Sequence, residues 1–285
     1  MHSMAASATS QIKLIALDLD GSSLNKESKV SPRTKRAIAE AIRQGYLVVP
    51  ATGRSFYRLR EDVIGVDGIR YVISAGGGQL VDGERNEVLL QSIIPRADAA
   101  RLAEDLLRQC TNIYLHRADG KSSPWMGCRS IEEYEQWFLQ PGWPGKKQIV
   151  TSGIGTQILQ MDTEVLQLGA YFYGFDGFCA FDELLTQHYP QLCWFQVAAN
   201  AAEFSPKGAS KAAALRHLCA HLGIELGQVC AVGDNGNDVE MLRIAGLGAA
   251  MGNAIDAAKQ AADLVIGRND EDGVAQFLET HFLNE

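Results

Sequence analysis

Short apolar runs, each stopped by acids, hydroxyls or glycine, alternate with amphipathic stretches along the first part of the chain. "IKLIALDLDG" is continuous in its apolar part and ends on two carboxylates, the pattern of a strand buried on both faces in a parallel sheet. "SPRTKRAIAEAIRQG" follows as a helix: Ser31 suits its N-cap, Pro32 its first position, Ala37, Ile38, Ala41 and Ile42 form the apolar stripe, and Gly45 ends it. "YLVVPATGR" predicts a second strand, "SFYRLREDVIG" a helix and "RYVIS" a third strand. This alternation is that of a doubly wound α/β sheet.

From about Gly83 the pattern changes to strands paired close in sequence. "QLVDG" and "EVLLQSI" predict a hairpin, and "TNIYLHRADG", "TQILQMDT", "LGAYFYGF" and "CWFQVAA" predict further strands. Helical spacing in "RADAARLAEDLLRQC" and "SIEEYEQWFLQPG" interleaves with them, giving an α+β texture. After about residue 198 the α/β alternation resumes, with helices at "GASKAAALRHLCAHLG", "GNDVEMLRIAG", "NAIDAAKQA" and "DGVAQFLETHF" and strands at "VCAVGD", "LGAAMG" and "DLVIG". The expected organisation is a doubly wound, mainly parallel α/β core over 12–83 and 198–285, an inserted α+β domain over 84–197, and a disordered leader over 1–11.

Composition narrows the function classes. With 34 acidic against 26 basic side chains the net charge is -8, which argues against nucleic acid and anionic membrane as partners. Six cysteines are scattered with no C-x-x-C pair, which suits reduced thiols in a cytoplasmic protein and suggests no zinc site. "MHSMAASATS" lacks the features of a secretory signal, and no apolar stretch reaches membrane-spanning length.

The chemistry gathers at strand ends. Asp18 and Asp20 close the first strand, Thr52 the second and Asp234 the strand "VCAVG", all at the carboxyl edge where open parallel sheets bind ligands. Lys211 lies in the first turn of the helix that precedes "VCAVGD". Alone, "DLDG" is an acidic turn and "GDNGND" an Asx-rich loop without EF-hand spacing. Together, in order, each at a strand end or helix start, they form a set of three carboxylates, a hydroxyl and an ammonium.

Four ordered signatures, "DLDGSSL", "ATGR", "SPKGASKAAAL" and "VGDNGNDVEML", resemble those of the haloacid dehalogenase-like phosphatases, and within them the Cof-type branch with a large inserted C2-type cap domain. "AGLGAAMGNA" and "EDGVA" resemble the same branch. Three positions depart from its pattern: Ser22 stands for a threonine, Ser23 for an apolar residue, and Ala75-Gly76 for an Asn-Gly pair.

The resemblance implies a Rossmann-like core with an inserted cap, and a Mg²⁺-dependent phosphatase acting on small phosphomonoesters through an aspartyl phosphate. It implies Asp18 as nucleophile and metal ligand, and Asp20 as proton donor and acceptor that also ligates through its backbone carbonyl. Asp234 is implied as the remaining metal ligand, and Asp238 as a residue that orients water around the metal. Thr52, Lys211, Asn237 and the backbone near Leu19 and Gly53 are implied to hold the phosphoryl oxygens. A divalent cation and a lysine suit this chemistry because a phosphate dianion repels a carboxylate nucleophile until its oxygens are neutralised.

Other residues carry competing readings. Lys207 precedes the helix and is expected in solvent, whereas Lys211 aligns with the motif lysine. Arg54 is divided between a substrate contact and a surface ion pair, and Asn253 is read as the N-cap of the helix after it. His217 and His221 share a helix face but lack the glutamate of H-E-x-x-H, so an exposed pair is expected. "SAGGGQL" and "SGIGTQ" lack P-loop spacing and are read as turns. In the insertion, Trp125, Trp137, Trp143, Tyr171, Tyr173 and Trp194 are divided between core and a substrate cleft. Two alternative functions stand beside the phosphatase: a phosphosugar mutase of the same superfamily, and a non-catalytic phosphometabolite-binding protein. The retained Asp20 argues against the last.

Overall fold

The computed structural model describes residues 11–56, 59, 66–108, 112–119, 125–128, 149–150, 153–172, 179–198 and 200–283. The leader, the helix expected at "SFYRLREDVIG" beyond its first residues, and the helix expected at "SIEEYEQWFLQPG" lie outside them, as do the side chains of Trp125, Trp137, Trp143 and Tyr173. The chain divides into two compact units, one built from residues up to Leu90 and from Ser210 onward, the other from Gln91–Ala209.

Strand β1 (Leu14–Leu17) is wholly buried, as its uninterrupted apolar run requires. Helix α1 (Pro32–Arg43) starts where Ser31 accepts a hydrogen bond from the Thr34 amide, with Pro32 at its first position, and it turns Thr34, Ala37, Ile38 and Ala41 inward. β2 (Leu47–Pro50) and β3 (Tyr71–Ser74) follow. β3 does not extend the parallel series as a full strand: one parallel bridge, Ala51 to Ile73, joins it to the end of β2. It then pairs antiparallel with β4 (Gln79–Asp82), which neighbours β5 (Glu87–Gln91).

In the second unit the chain runs through α2 (Arg96–Leu107), β6 (Asn112–Arg117), β7 (Trp125–Cys128), β8 (Ile149–Val150), α3 (Ile154–Leu159), β9 (Val165–Tyr171), α4 (Cys179–His188), β10 (Leu192–Ala198) and β11 (Ala201–Pro206). Six strands form one sheet in the order β10-β11-β9-β6-β7-β8. Its core includes Ile113, Leu115, Leu168, Ala170 and Phe204 from strands and Leu102, Leu106, Ile158 and Phe181 from helices. Four features of this unit differ from the sequence expectation. "TQILQMDT" is not a strand: its first residues belong to α3, whose buried Ile154 and Ile158 stand four apart on one face. "SGIGTQ" is not a free turn, since Gly153, at φ +64, leads directly into that helix. Helix α4 and strand β11 were not anticipated.

The chain then completes the first unit through α5 (Lys211–Leu222), β12 (Val229–Gly233), α6 (Val239–Ile244), β13 (Leu247–Ala250), α7 (Asp256–Ala261), β14 (Leu264–Val265) and α8 (Gly273–His281). Its principal sheet has the order β14-β13-β12-β1-β2 and every pairing in it is parallel. This is the mixed α/β architecture the sequence predicts, with additional antiparallel sheets. Among the described residues no helix is long and apolar enough to cross a membrane.

Candidate active site

Strand register brings the motif residues together. Leu17 is paired with Val232 on one side and Pro50 on the other, so Asp18, Gly233 and Ala51 begin the same carboxyl edge. The Asp18 amide still donates to the Val232 carbonyl at 3.0 Å, after which the chain leaves the sheet. It leaves through a wide turn closed by the Ser23 amide on the Asp18 carbonyl (3.2 Å) and the Leu24 amide on the Leu19 carbonyl (2.8 Å). The turn needs Gly21: its φ is +81, and a Cβ there would stand 2.3 Å from Oδ2 of Asp234.

Both departing serines take part in this turn. The Ser22 hydroxyl donates to Oδ1 of Asp234 at 2.8 Å, tying the first motif to the fourth. The Ser23 hydroxyl donates to the Asp18 carbonyl at 2.6 Å, adding a second anchor beside its own amide. An apolar side chain at position 23 has no such donor.

Lys211, only 1% exposed, lies in the first turn of α5 and donates through Nζ to Oδ1 of Asp18 (2.5 Å) and to Oδ1 of Asp238 (2.6 Å). Oδ2 of Asp238 accepts from the amides of Asp234 and Asn235, each at 3.0 Å. Both Asp238 oxygens are therefore engaged, and its carboxylate orients Lys211 and the Asp234 loop. Lys207 is exposed, as are His217 and His221. The glycine turn before β4 has a positional role: a Cβ on Gly77 would stand 2.1 Å from the backbone of Ser210, so backbone meets backbone where α5 begins. Ala75, where the related branch carries asparagine, holds a left-handed φ of +49, a conformation asparagine tolerates better than alanine.

Thr52 is buried, and its hydroxyl oxygen accepts from the Arg54 amide at 3.1 Å, which leaves its proton to donate elsewhere. Arg54 pairs in bidentate fashion with Asp20, Nε to Oδ2 at 2.8 Å and Nη2 to Oδ1 at 2.5 Å. Asp20 is itself more than half exposed. Leu19 is buried, while Gly53 and Asn237 are half-buried in the loops beside Thr52 and Asp238. Asn253 is not the helix N-cap that sequence reading suggests, since Ile255 occupies that place. Its side chain instead reaches the Gly21 carbonyl at 2.7 Å.

The carboxylates repel one another. Burial holds the Asp18 carboxyl well above its ordinary range, neighbouring Asp238 and Asp234 push it further up, and Lys211 opposes them. Burial also raises Asp234, against the Ser22 hydrogen bond that lowers it. Burial works against the Lys211 charge, yet Asp18 and Asp238 more than offset it and hold the ammonium above its ordinary range. Oxygen atoms of Asp18, Asp234 and Asp238 all lie within 4.8 Å of one another. A hard divalent cation fits this donor set, because Asp18 and Asp234 each carry an oxygen other than the one bonded to Lys211 or Ser22, and their mutual repulsion is what a cation relieves.

Residues 15–278 match the family model described as haloacid dehalogenase-like hydrolase. The chain is 31% identical over 268 residues to the 5-amino-6-(5-phospho-D-ribitylamino)uracil phosphatase YcsE of Bacillus subtilis, covering 93% of this chain and 94% of that protein. It is 32% identical to the phosphatase YwpJ of the same organism, over 94% of this chain and 99% of the relative. Among solved structures, a haloacid dehalogenase-like hydrolase from B. subtilis superposes with a TM-score of 0.77 at 27% identity, over 95% of this chain and 100% of that one.

Proposed function

The chain belongs to the haloacid dehalogenase-like hydrolase family, and from that premise we propose that it is a Mg²⁺-dependent phosphatase that hydrolyses small phosphomonoesters through an aspartyl phosphate on Asp18. One observation carries the reading: a buried carboxylate, Asp18, follows the end of β1 with a buried ammonium 2.5 Å from one oxygen. An isolated acid there would be costly, whereas a nucleophile facing a phosphate needs that partner.

Asp18 attacks phosphorus through a carboxylate oxygen, and the bond to the ester oxygen breaks as Asp20 gives that oxygen its proton. Water then attacks the aspartyl phosphate, Asp20 takes the water's proton, and inorganic phosphate leaves with the Asp18 carboxylate restored. For Asp20 to serve both steps its bidentate pair with Arg54 must open, which frees the guanidinium for an anionic substrate. Thr52, Lys211, Asn237 and the amides of Leu19 and Gly53 hold the phosphoryl oxygens. Asp18, Asp234 and the Asp20 carbonyl would hold Mg²⁺, which would supply charge neutralisation of the phosphoryl group. Asp238 keeps Lys211 and the Asp234 loop in place.

The second unit serves as the cap that selects the leaving group, and the substrates are sugar phosphates, nucleotides or phosphorylated cofactors. The test is phosphate release from a panel of such esters, including 5-amino-6-(5-phospho-D-ribitylamino)uracil, with Mg²⁺ and with EDTA. Release that EDTA abolishes is the expected result. Isomer formation without free phosphate favours a mutase, and no turnover of any ester by folded, Mg²⁺-loaded protein overturns the reading.

A further inference from the structure

Asn253 and Asn269 belong to none of the four signatures that carry the chemistry, yet both side chains end on the backbone of the loop bearing Asp18 and Asp20. Nδ2 of Asn253 donates to the Gly21 carbonyl at 2.7 Å, while its Oδ1 accepts from the Asn269 amide at 3.0 Å. Asn269 in turn donates through Nδ2 to the Leu24 carbonyl at 2.8 Å. The wide turn uses the amides of Ser23 and Leu24 for its own closure, on the carbonyls of Asp18 and Leu19. The two carbonyls that the asparagines reach are not part of that closure.

The Gly21 carbonyl is the sensitive one. Glycine is the residue with the widest backbone freedom, and this one stands between Asp20 and Ser22 at φ +81 and ψ -5. Because the peptide unit is planar, fixing the Gly21 carbonyl fixes the Ser22 amide behind it. Only the φ and ψ of Gly21 then separate that fixed plane from the Asp20 peptide on one side. On the other the plane sets the Ser22 hydroxyl that holds Asp234 at 2.8 Å.

We propose that Asn253 and Asn269 are positioning residues for phosphoryl transfer, a pair of amides that clamp the Gly21–Leu24 backbone and so aim Asp20 and, through Ser22, Asp234. The kinetic part of this rests on the phosphatase reading; the mechanical part does not. Asn253→Ala removes both bonds of Asn253. Asn253→Asp keeps the acceptor for the Asn269 amide but has no donor for Gly21. Asn269→Ala removes only the bond to Leu24, since its backbone amide remains.

With a small phosphoester whose hydrolysis follows the wild-type pathway, kcat is expected to fall about tenfold in both Asn253 variants with KM within about twofold, and to fall less in Asn269→Ala. Amide hydrogen exchange followed by mass spectrometry should quicken about tenfold in peptides spanning residues 19–24 and stay unchanged in β1 and α1. Wild-type kcat and wild-type exchange in Asn253→Asp overturn the proposal. So does faster exchange spread evenly over the first unit, because that is the mark of a general structural bond. Should the wild-type protein hydrolyse no ester, the functional reading fails separately and the exchange experiment still decides the clamp.

Discussion

Each unit buries a group of polar side chains, and the two groups are built on opposite principles. In the second unit Glu203, 7% exposed, receives the Tyr114 hydroxyl on Oε1 at 2.8 Å and Nε2 of Gln167 on Oε2 at 3.1 Å; the same Gln167 amide lies 3.2 Å from the Ser205 hydroxyl. These donors carry no charge, and they converge because β9 offers Gly169. A Cβ there would stand 1.9 Å from Cζ of Tyr114, so the phenol ring crosses β9 over a glycine to reach β11. In the first unit, three carboxylates crowd one ammonium, and Asp18 and Asp234 are both held above their ordinary range, chiefly by burial. Hydroxyl and amide donors that converge on one carboxylate across neighbouring strands fix the packing of that sheet. Carboxylates set against one another are a site waiting for a cation and an anion, and they cost stability until those arrive.

The largest expected effect separates the two groups outright. Asp18→Asn should leave the chain folded yet lower turnover about a thousandfold or more, because the proposed nucleophile is gone. Near-normal turnover would refute the assignment. Gly21→Ala comes next: the added methyl meets Asp234 and the left-handed backbone resists it, so turnover should drop about a hundredfold and stability by about 2 kcal/mol. Steady-state kinetics and urea unfolding measure both, and wild-type values in both would show that the turn has room to spare.

Gly169→Ala tests the other side of the comparison. Displacing the Tyr114 ring should cost the second unit about 2 kcal/mol and quicken exchange in Val165–Tyr171. The thermal shift expected from Mg²⁺ should stay as in wild type, and loss of a shift that wild type shows would mean that the two polar groups are not independent.

The smallest effect concerns pH. A carboxyl raised above its ordinary value of 3.8 contributes stability that is complete below that value and is lost as pH rises through the raised one. Metal-free protein should therefore lose stability upward from that point. Asp234→Asn should flatten the loss and raise Tm at neutral pH by a few degrees, on the order of 1 kcal/mol, while abolishing the Mg²⁺ shift. Differential scanning calorimetry with EDTA checks it, and a variant less stable than wild type would show that Asp234 is not repelled.

What the sequence makes legible follows from the range of the forces involved. The parallel strands announce themselves because burial on both faces leaves an unbroken apolar run, and a parallel register then places their acidic ends at one edge. Strand β11 hid because its inward positions on one face are Glu203 and Ser205, so period-two alternation is written partly in polar residues. "TQILQMDT" misled because a two-turn helix offers only Ile154 and Ile158 as its apolar stripe. Asn253 was read from its local surroundings, whereas its Gly21 partner lies 232 residues away in the chain. Ser23 bonds five residues back, the spacing of a π-turn and not of the α-helical or strand patterns that apolar periodicity reveals. Bonds of that kind are fixed by tertiary geometry and leave no repeating pattern.

The pairing of β1 with β12 has a consequence for how the protein is made. Leu14–Leu17 leaves the ribosome before the strand that covers its far edge, Val229–Gly233, which is translated only after all of Gln91–Ala209. An apolar strand with one open edge must persist through that interval, which is the condition under which nascent chains aggregate or recruit chaperones. The aspartate that follows β1 is thus synthesised well before the strand that completes its surroundings. Shortening that wait, by permuting the chain so that β12 is translated beside β1, should raise the soluble yield without altering a single contact of the finished site.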